Sequence, residues 1–314
     1  MDKLPDGLNQ VRSLDLKGDE RTAEKIEKAL AIGRQHAKEK KQIHRTEQRT
    51  VAKAYRYDVF ETEEDVAVIR LNRPDQGNTL VPEMGAELLD AANRCEVDTN
   101  VRAVVLTGNG RMFCAGADIK ALTTHGEDVA DYIKGMTRDL HATISRFNRM
   151  DAPVIAAING TAAGGGFGLA LSADIAIAAE SAKMTAAYAR TGLTLDGSCS
   201  YFLARLVGLR RAKEMALLNT VISAKQAVEC GLINRVVADD QLLATTLQMA
   251  HRLAEGPTRA LGETKRLMLQ AATENLESQM ERETLAIARI ATGMDAHEGI
   301  AAFLAKRAPN FCGV

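Results

Sequence analysis

Short apolar runs alternate with longer amphipathic stretches along this chain from about residue 55 onward. Tyr57 to Glu61 and Val66 to Leu71 predict two strands joined by the acidic turn Glu63-Glu64-Asp65. Ala103 to Thr107, Val154 to Ile158 and Asp174 to Ala178 are nearly uninterrupted apolar runs, the mark of strands covered on both faces. Helices are predicted from Pro82 to about Cys95, with the proline where a missing amide does no harm, and from about Asp128 to Arg149. Beyond these the pattern becomes helical. Short helices are expected around Cys199–Val207, Arg210–Asn219 and Ala224–Glu229, with a short strand inside Gly231–Val237. Helices then run to the C-terminus, punctuated by Gly256-Pro257 and Gly293. Strand and helix in alternation predict an α/β core. The expected division is an N-terminal helical extension at 1–54, a core at 55–255 and a helical region at 256–314 that serves as a cap or an oligomer interface.

Residues 1–54 are polar, with one thin apolar stripe at Ala23, Ile26, Ala29, Leu30 and Gly33 that predicts a helix over Glu20 to Lys41. They hold 13 Lys/Arg against 9 Asp/Glu, a net +4, while the whole chain carries -1. The basic end, Lys38 to Arg45, fits a solvated appendage, and a contact with nucleic acid is its alternative.

A net charge of -1 gives the molecule as a whole no electrostatic case for nucleic acid. Aromatic residues make up 4%, with no Trp, which argues against base-stacking surfaces. The five cysteines show no CxxC pair and no histidine at ligand spacing, so they predict reduced thiols and no metal site. No signal-peptide core and no apolar run of about 18 residues is present, so the expectation is a cytoplasmic protein with no membrane span.

Two glycine-containing segments carry the chemistry. Cys114 to Asp118 and Gly164 to Gly166 each follow a buried strand and each lead into a helix. Glycine lets a ligand approach the backbone, and the amides of a first helical turn are free to meet negative charge. Two such loops can aim two amides at one oxygen, as an oxyanion hole does; they also fit plain strand–helix turns.

The wording of these motifs goes further. Phe113-Cys-Ala-Gly-Ala-Asp-Ile119, Gly160-Thr-Ala-Ala-Gly-Gly-Gly-Phe167 and Ala173-Asp-Ile-Ala-Ile177 resemble the crotonase (enoyl-CoA hydratase/isomerase) superfamily. So do Gly192-Leu-Thr-Leu-Asp-Gly197, Leu203-Ala-Arg-Leu-Val-Gly208, Gly231-Leu-Ile-Asn-Arg-Val236 and Gly299-Ile-Ala-Ala-Phe-Leu-Ala-Lys306. The resemblance runs from about residue 57 to the C-terminus and leaves out the first 54. It implies a crotonase-like spiral of ββα units with a helical C-terminal trimerisation region, assembling as a homotrimer or a dimer of trimers. It implies an acyl-CoA thioester substrate whose carbonyl oxygen is held by the amides of Ala117 and Gly165, and no cofactor beyond the coenzyme A moiety. It places CoA along Asp118, Ile119 and Lys120, with Phe303 and Lys306 reaching it from the C-terminal region and Arg73 as a further phosphate candidate.

The two glutamates of a family hydratase match Gly168 and Tyr188 here, which puts two-carboxylate water addition in doubt. Gly168 is expected to leave room for a bulky acyl group. Asp196 occupies the position of the single carboxylate in members that shift a double bond, although an Asp before Gly-Ser is also ordinary turn chemistry. Leu193, Leu195 and Phe202 predict an apolar setting that would strengthen it as a base. In the 4-chlorobenzoyl-CoA dehalogenase branch the same position is a nucleophile, with a histidine on the preceding long helix matched by His141. Enoyl-CoA isomerisation through Asp196 is therefore the leading expectation, with Tyr188 lining the acyl pocket. Hydratase-type lyase or dehalogenase-like hydrolase activity is the alternative, and a non-catalytic RNA-binding homologue is the alternative of another class.

Overall fold

A computed structural model describes residues 55–313. The helix expected at Glu20 to Lys41 and the basic cluster after it lie outside the described residues.

β1 (Asp58–Glu63) and β2 (Val66–Leu71) form an antiparallel hairpin in the register Asp58 to Leu71. β2 pairs in parallel with β3 (Ala103–Gly108), which pairs with β5 (Val154–Ile158), then β7 (Ile175–Ala179) and finally β10 (Arg235–Val237). Every residue of β3 and β5 is buried, which is why these central strands read as unbroken apolar runs. A second sheet, not expected from the sequence, holds four short strands in the order β4 (Met112–Cys114), β6 (Thr161–Ala163), β8 (Lys183–Thr185) and β9 (Ile222–Ser223). β3, β5 and β7 each hand the chain to β4, β6 and β8 in turn, so both sheets grow together. This is the repeated ββα plan.

The helices cover the sheets. α1 (Pro82–Val97) ends two residues beyond its expected limit; α2 (Ile119–Thr123) is a single short turn. α3 (Val129–Arg149) buries Met136, Leu140, Thr143, Ile144 and Phe147, a face of three- and four-residue spacings. Burial of Phe147 alone stabilises by roughly 1.5–3 kcal/mol. α1 and α3 pack together at Gly85, where a Cβ would lie in ordinary contact, 3.6 Å from Asp139 Cβ. α4 (Gly165–Leu171) is buried at every residue. α5 (Cys199–Val207), α6 (Leu209–Leu217), α7 (Ala224–Glu229), α8 (Leu242–Ala254) and α9 (Thr258–Ala271) follow. Lys265 pins α9 to the core, donating to the carbonyls of Phe147 (2.6 Å) and Ala152 (3.2 Å) and to Asp174 Oδ2 (2.7 Å). Burial holds its ammonium below the ordinary lysine pKa, against the pull of Asp174.

Residues through Gln279 form one compact unit, and those from Met280 belong to a second. α10 (Leu276–Ala291) spans the boundary, and α11 (Met294–Leu304) follows it. In the second unit Asp295 accepts the amides of Cys312 (2.7 Å) and Gly313 (2.8 Å), and Glu298 accepts that of Asn310 (2.8 Å), which folds the tail back. Phe303 is 84% exposed, and Lys306 is exposed with a left-handed φ of 52°. Among the described residues no helix is long and apolar enough to cross a membrane.

Candidate active site

The two glycine segments meet. The Leu80 amide donates to the Gly116 carbonyl at 2.8 Å, and the Asp118 amide to the Leu80 carbonyl at 3.0 Å. A trans peptide sets its N–H opposite its C=O, so the Ala117 amide points away from Leu80. Gly116, at φ 91°, makes this turn possible, and a Cβ on it would stand 2.9 Å from the Ala163 carbonyl and 3.2 Å from the Gly165 nitrogen. Gly165 opens α4, so its amide has no carbonyl four residues back to receive it. The amides of Ala117 and Gly165 thus lie where the two loops meet, one pointing away from Leu80 and the other free at the start of α4.

Asp196 stands beside this place. The next residue, Gly197, packs on Gly165, where a Cβ on Gly197 would be 3.3 Å from the Gly165 Cα. The setting of Asp196 is only in part the apolar one expected, with Leu195 and Phe202 packed half-buried against the core. Leu193 is 41% exposed, and the Asp196 carboxylate is about one-third exposed and accepts a hydrogen bond from His141 Nε2 at 2.8 Å. With Asp196 ionised, that bond requires the Nε2–H form of the imidazole. His141 follows Leu140 on α3, whose Cδ2 lies 3.6 Å from a Cβ built on Gly165. One turn of α3 therefore supplies both a wall and the partner of the acid.

Gly168 does not leave room for a substrate, and this corrects the expectation. A Cβ there would lie 1.9 Å from the Gly197 carbonyl oxygen, 2.8 Å from its carbon and 3.0 Å from Cys199 Sγ. The missing side chain is filled by the backbone that carries Asp196. Gly197 (φ 55°) and Ser198 (φ 65°) are both left-handed, and this double turn brings the loop down onto α4.

Tyr188 closes the other side. Its ring Cζ is 4.0 Å from a Cβ built on Gly164, and its hydroxyl oxygen is buried. Burial pushes the phenol well above the ordinary tyrosine range, helped by the neighbouring Cys199 and Asp196. It is neutral throughout the working range of a protein. Burial likewise pushes the Cys199 thiol up to about 12, and its Sγ donates to the Gly164 carbonyl at 3.6 Å. Tyr188 and Leu195 also border a cavity of about 430 Å³, shared with Leu193, Leu203, Leu209 and Lys213.

The residues expected to meet CoA divide into groups. Ile119 (45% exposed) and Lys120 open α2 on the surface. Asp118 turns inward, where Oδ1 caps α2 through the Ala121 amide and Oδ2 meets Arg73. Burial raises its pKa, but the bonds from Ala121, Arg73 and Thr79 outweigh this and hold the carboxyl below its usual range. Arg73 is not a solvated phosphate candidate: its guanidinium is committed to Thr79 and Asp118 and lies over the Tyr57 ring at 5.5 Å. Phe303 and Lys306 lie in the second unit. Sequence reasoning missed Thr79, Leu80 and Asn78. Asn78 is fully buried, and its side-chain amide ties the carbonyls of Asn109, Met112 and Phe113, which carries the loop into β4. Only the Asn after a glycine, apt for its φ of 54°, signalled this role.

Known proteins similar to this chain fall in one family. The family model described as enoyl-CoA hydratase/isomerase matches residues 61–313. The 1,2-epoxyphenylacetyl-CoA isomerase of Escherichia coli (strain K12) is 39% identical over 80% of this chain and 96% of the relative. A 4-chlorobenzoyl coenzyme A dehalogenase of an Arthrobacter species is 36% identical over 69% of this chain and 79% of its own length. Among solved structures, an enoyl-CoA hydratase from Polaromonas sp. JS666 superposes with a TM-score of 0.78 at 33% identity, covering 81% of this chain and 99% of that one.

Proposed function

Because the chain belongs to the enoyl-CoA hydratase/isomerase family, we propose that it is an acyl-CoA isomerase that moves a double bond through a thioester enolate. One observation carries this reading. Gly197 fills the space at Gly168, so no second carboxylate can stand there, and Asp196 is the acid beside the two amides. The thioester carbonyl oxygen lies between the amides of Ala117 and Gly165, which stabilise the negative charge it gains when the α-carbon loses a proton. Losing one such donor costs roughly 3–4 kcal/mol of transition-state stabilisation. His141 engages Oδ1 of Asp196, so Oδ2 is the oxygen left to take the α-proton and return it two carbons away. The Nε2–H bond stabilises the carboxylate before the proton is taken and again once it has been returned. The apolar cavity bordered by Tyr188 and Leu195 offers the acyl chain a place next to this acid. The scheme needs no cofactor beyond the CoA of the substrate, which lies along the exposed Ile119 and Lys120, Asp118 being turned inward to Arg73 and the Ala121 amide.

A second reading is favoured by the 2.8 Å His141–Asp196 bond and by the similarity to a 4-chlorobenzoyl coenzyme A dehalogenase. Asp196 would attack the ring carbon, halide would leave, and His141 would activate the water that hydrolyses the resulting aryl ester. Family membership is the ground for assembly as a homotrimer or a dimer of trimers, and exposed Leu217 (75%) and Leu218 (72%) in the first unit, with Phe303 and Leu304 (75%) in the second, are apolar surface for an interface to cover.

Purified protein should be given a 3-enoyl-CoA, a 2-enoyl-CoA in water, 1,2-epoxyphenylacetyl-CoA and a 4-halobenzoyl-CoA. Isomerisation abolished by Asp196→Asn is the expected result. Isomerisation that survives this substitution sinks the proton-shuttle role, and halide release without isomerisation transfers the assignment to the second reading.

A further inference from the structure

The Arg73–Asp118 pair has no part in the chemistry above, yet it is largely withdrawn from water, with side-chain exposures of 13% and 17%. Arg73 Nη2 donates to Asp118 Oδ2 at 3.1 Å, while Nη1 donates to the Thr79 carbonyl at 2.5 Å and to its hydroxyl oxygen at 3.0 Å. The Thr79 hydroxyl donates to the same carboxylate oxygen at 3.3 Å. Thr79 precedes Leu80, whose amide and carbonyl hold Gly116 and Asp118. The guanidinium thus fastens together the two ends of the bridge that sets the direction of the Ala117 amide. A planar guanidinium fixes angle as well as distance, which a point charge does not.

We propose that the Arg73–Asp118 pair is a positioning device for the Ala117 amide, holding residues 116–118 against Thr79 and Leu80 so that this N–H stays aimed at the thioester oxygen. The inference rests on the reading of Ala117 as an oxyanion donor. A donor lowers the barrier most when it is already oriented before charge develops, because no reorganisation is then left for the reaction itself. Loss of the pair leaves the amide present but free to swing, so binding of CoA survives while polarisation of the carbonyl does not.

The test is isotope-edited difference infrared spectroscopy of butyryl-CoA, labelled with carbon-13 at the thioester carbonyl and bound to the full-length protein. This ligand is small, saturated and without a double bond to move. Wild type, Asp118→Asn, Arg73→Met and Arg73→Lys are compared, with melting temperature and steady-state kinetics on whichever thioester the wild type turns over. The expected result is a lowered carbonyl stretch in the wild type and loss of most of that shift in Asp118→Asn and Arg73→Met. Their kcat falls by about tenfold or more at little-changed KM. Arg73→Lys, which keeps the charge but cannot span Thr79 and Asp118 together, falls between. Variants that keep the full shift while melting lower show a merely structural pair and overturn the proposal. Weakened binding of free CoA with the shift intact makes Arg73 a phosphate ligand and also overturns it. Absence of any shift in the wild type removes the oxyanion reading itself, and this inference with it.

Discussion

Gly168→Ala is the most telling substitution in this site. The added methyl would begin 1.9 Å from the Gly197 carbonyl oxygen and 2.8 Å from its carbon, and both are backbone atoms that cannot rotate aside. To reach the 3.0 Å below which such contacts are essentially never found, the Gly197 carbonyl must withdraw by about 1 Å. α4 cannot yield instead, because all seven of its residues are buried. Overpacking of this kind costs about 1–3 kcal/mol of stability. Asp196 moves with its neighbour, and a displacement of about 1 Å in a reacting group costs on the order of a hundredfold in rate. Gly135→Ala is the matched control: it adds the same methyl to α3 with nothing within 4 Å, and should stabilise by up to about 1 kcal/mol. The assay is thermal unfolding of both variants together with kcat on a 3-enoyl-CoA. A Gly168→Ala protein that melts with the wild type and turns over within about twofold of its rate would show that the Asp196 loop is not seated on α4, and would return Gly168 to the role of substrate space.

Three further outcomes follow from the same structure. His141→Gln keeps an amide able to donate to Asp196 Oδ1, so isomerisation should slow by no more than about tenfold, whereas hydrolysis of a 4-halobenzoyl-CoA should lose about a hundredfold or more with its base; steady-state rates on both substrates decide. Asp58 is buried with neither oxygen bonded, and burial, then the neighbouring Glu87, pushes its carboxyl well above the usual range. A raised folded pKa means that the native state holds a proton the unfolded chain has lost, so wild-type stability falls as pH rises from about 4 towards that folded pKa, by up to about 1.4 kcal/mol per pH unit. Asp58→Asn removes this loss, so its stability relative to wild type should climb with pH in chemical denaturation, and parallel profiles would refute the assignment. Lys265→Met should destabilise by about 3 kcal/mol, since it leaves Asp174 and two carbonyls without their shared donor; equilibrium unfolding of the purified variant measures it.

What could be read from the chain alone follows from where periodicity exists. β3 and β5 were legible because parallel strands buried on both faces leave uninterrupted apolar runs, and α3 because its buried face repeats at helical spacing. The second sheet was not, because strands of two or three residues carry no measurable period. That sheet is what delivers the two glycine loops: β4 ends at Cys114 and β6 at Ala163, each a few residues before Ala117 or Gly165. The motifs therefore pointed to segments that the fold brings into contact, while the contacts within them stayed hidden. Arg73 resembled a free cation because no pattern tells that Asp118 turns inward towards it. Gly168 resembled empty space because a missing side chain looks the same in sequence whether a ligand or a backbone fills the gap. Here two successive left-handed residues, Gly197 and Ser198, bring that backbone in. The absence of a carboxylate at 168 and the placement of Asp196 are thus one structural fact. A glutamate could be restored at 168 only by lifting the loop that holds the remaining acid, so a two-carboxylate site is out of reach by that single substitution.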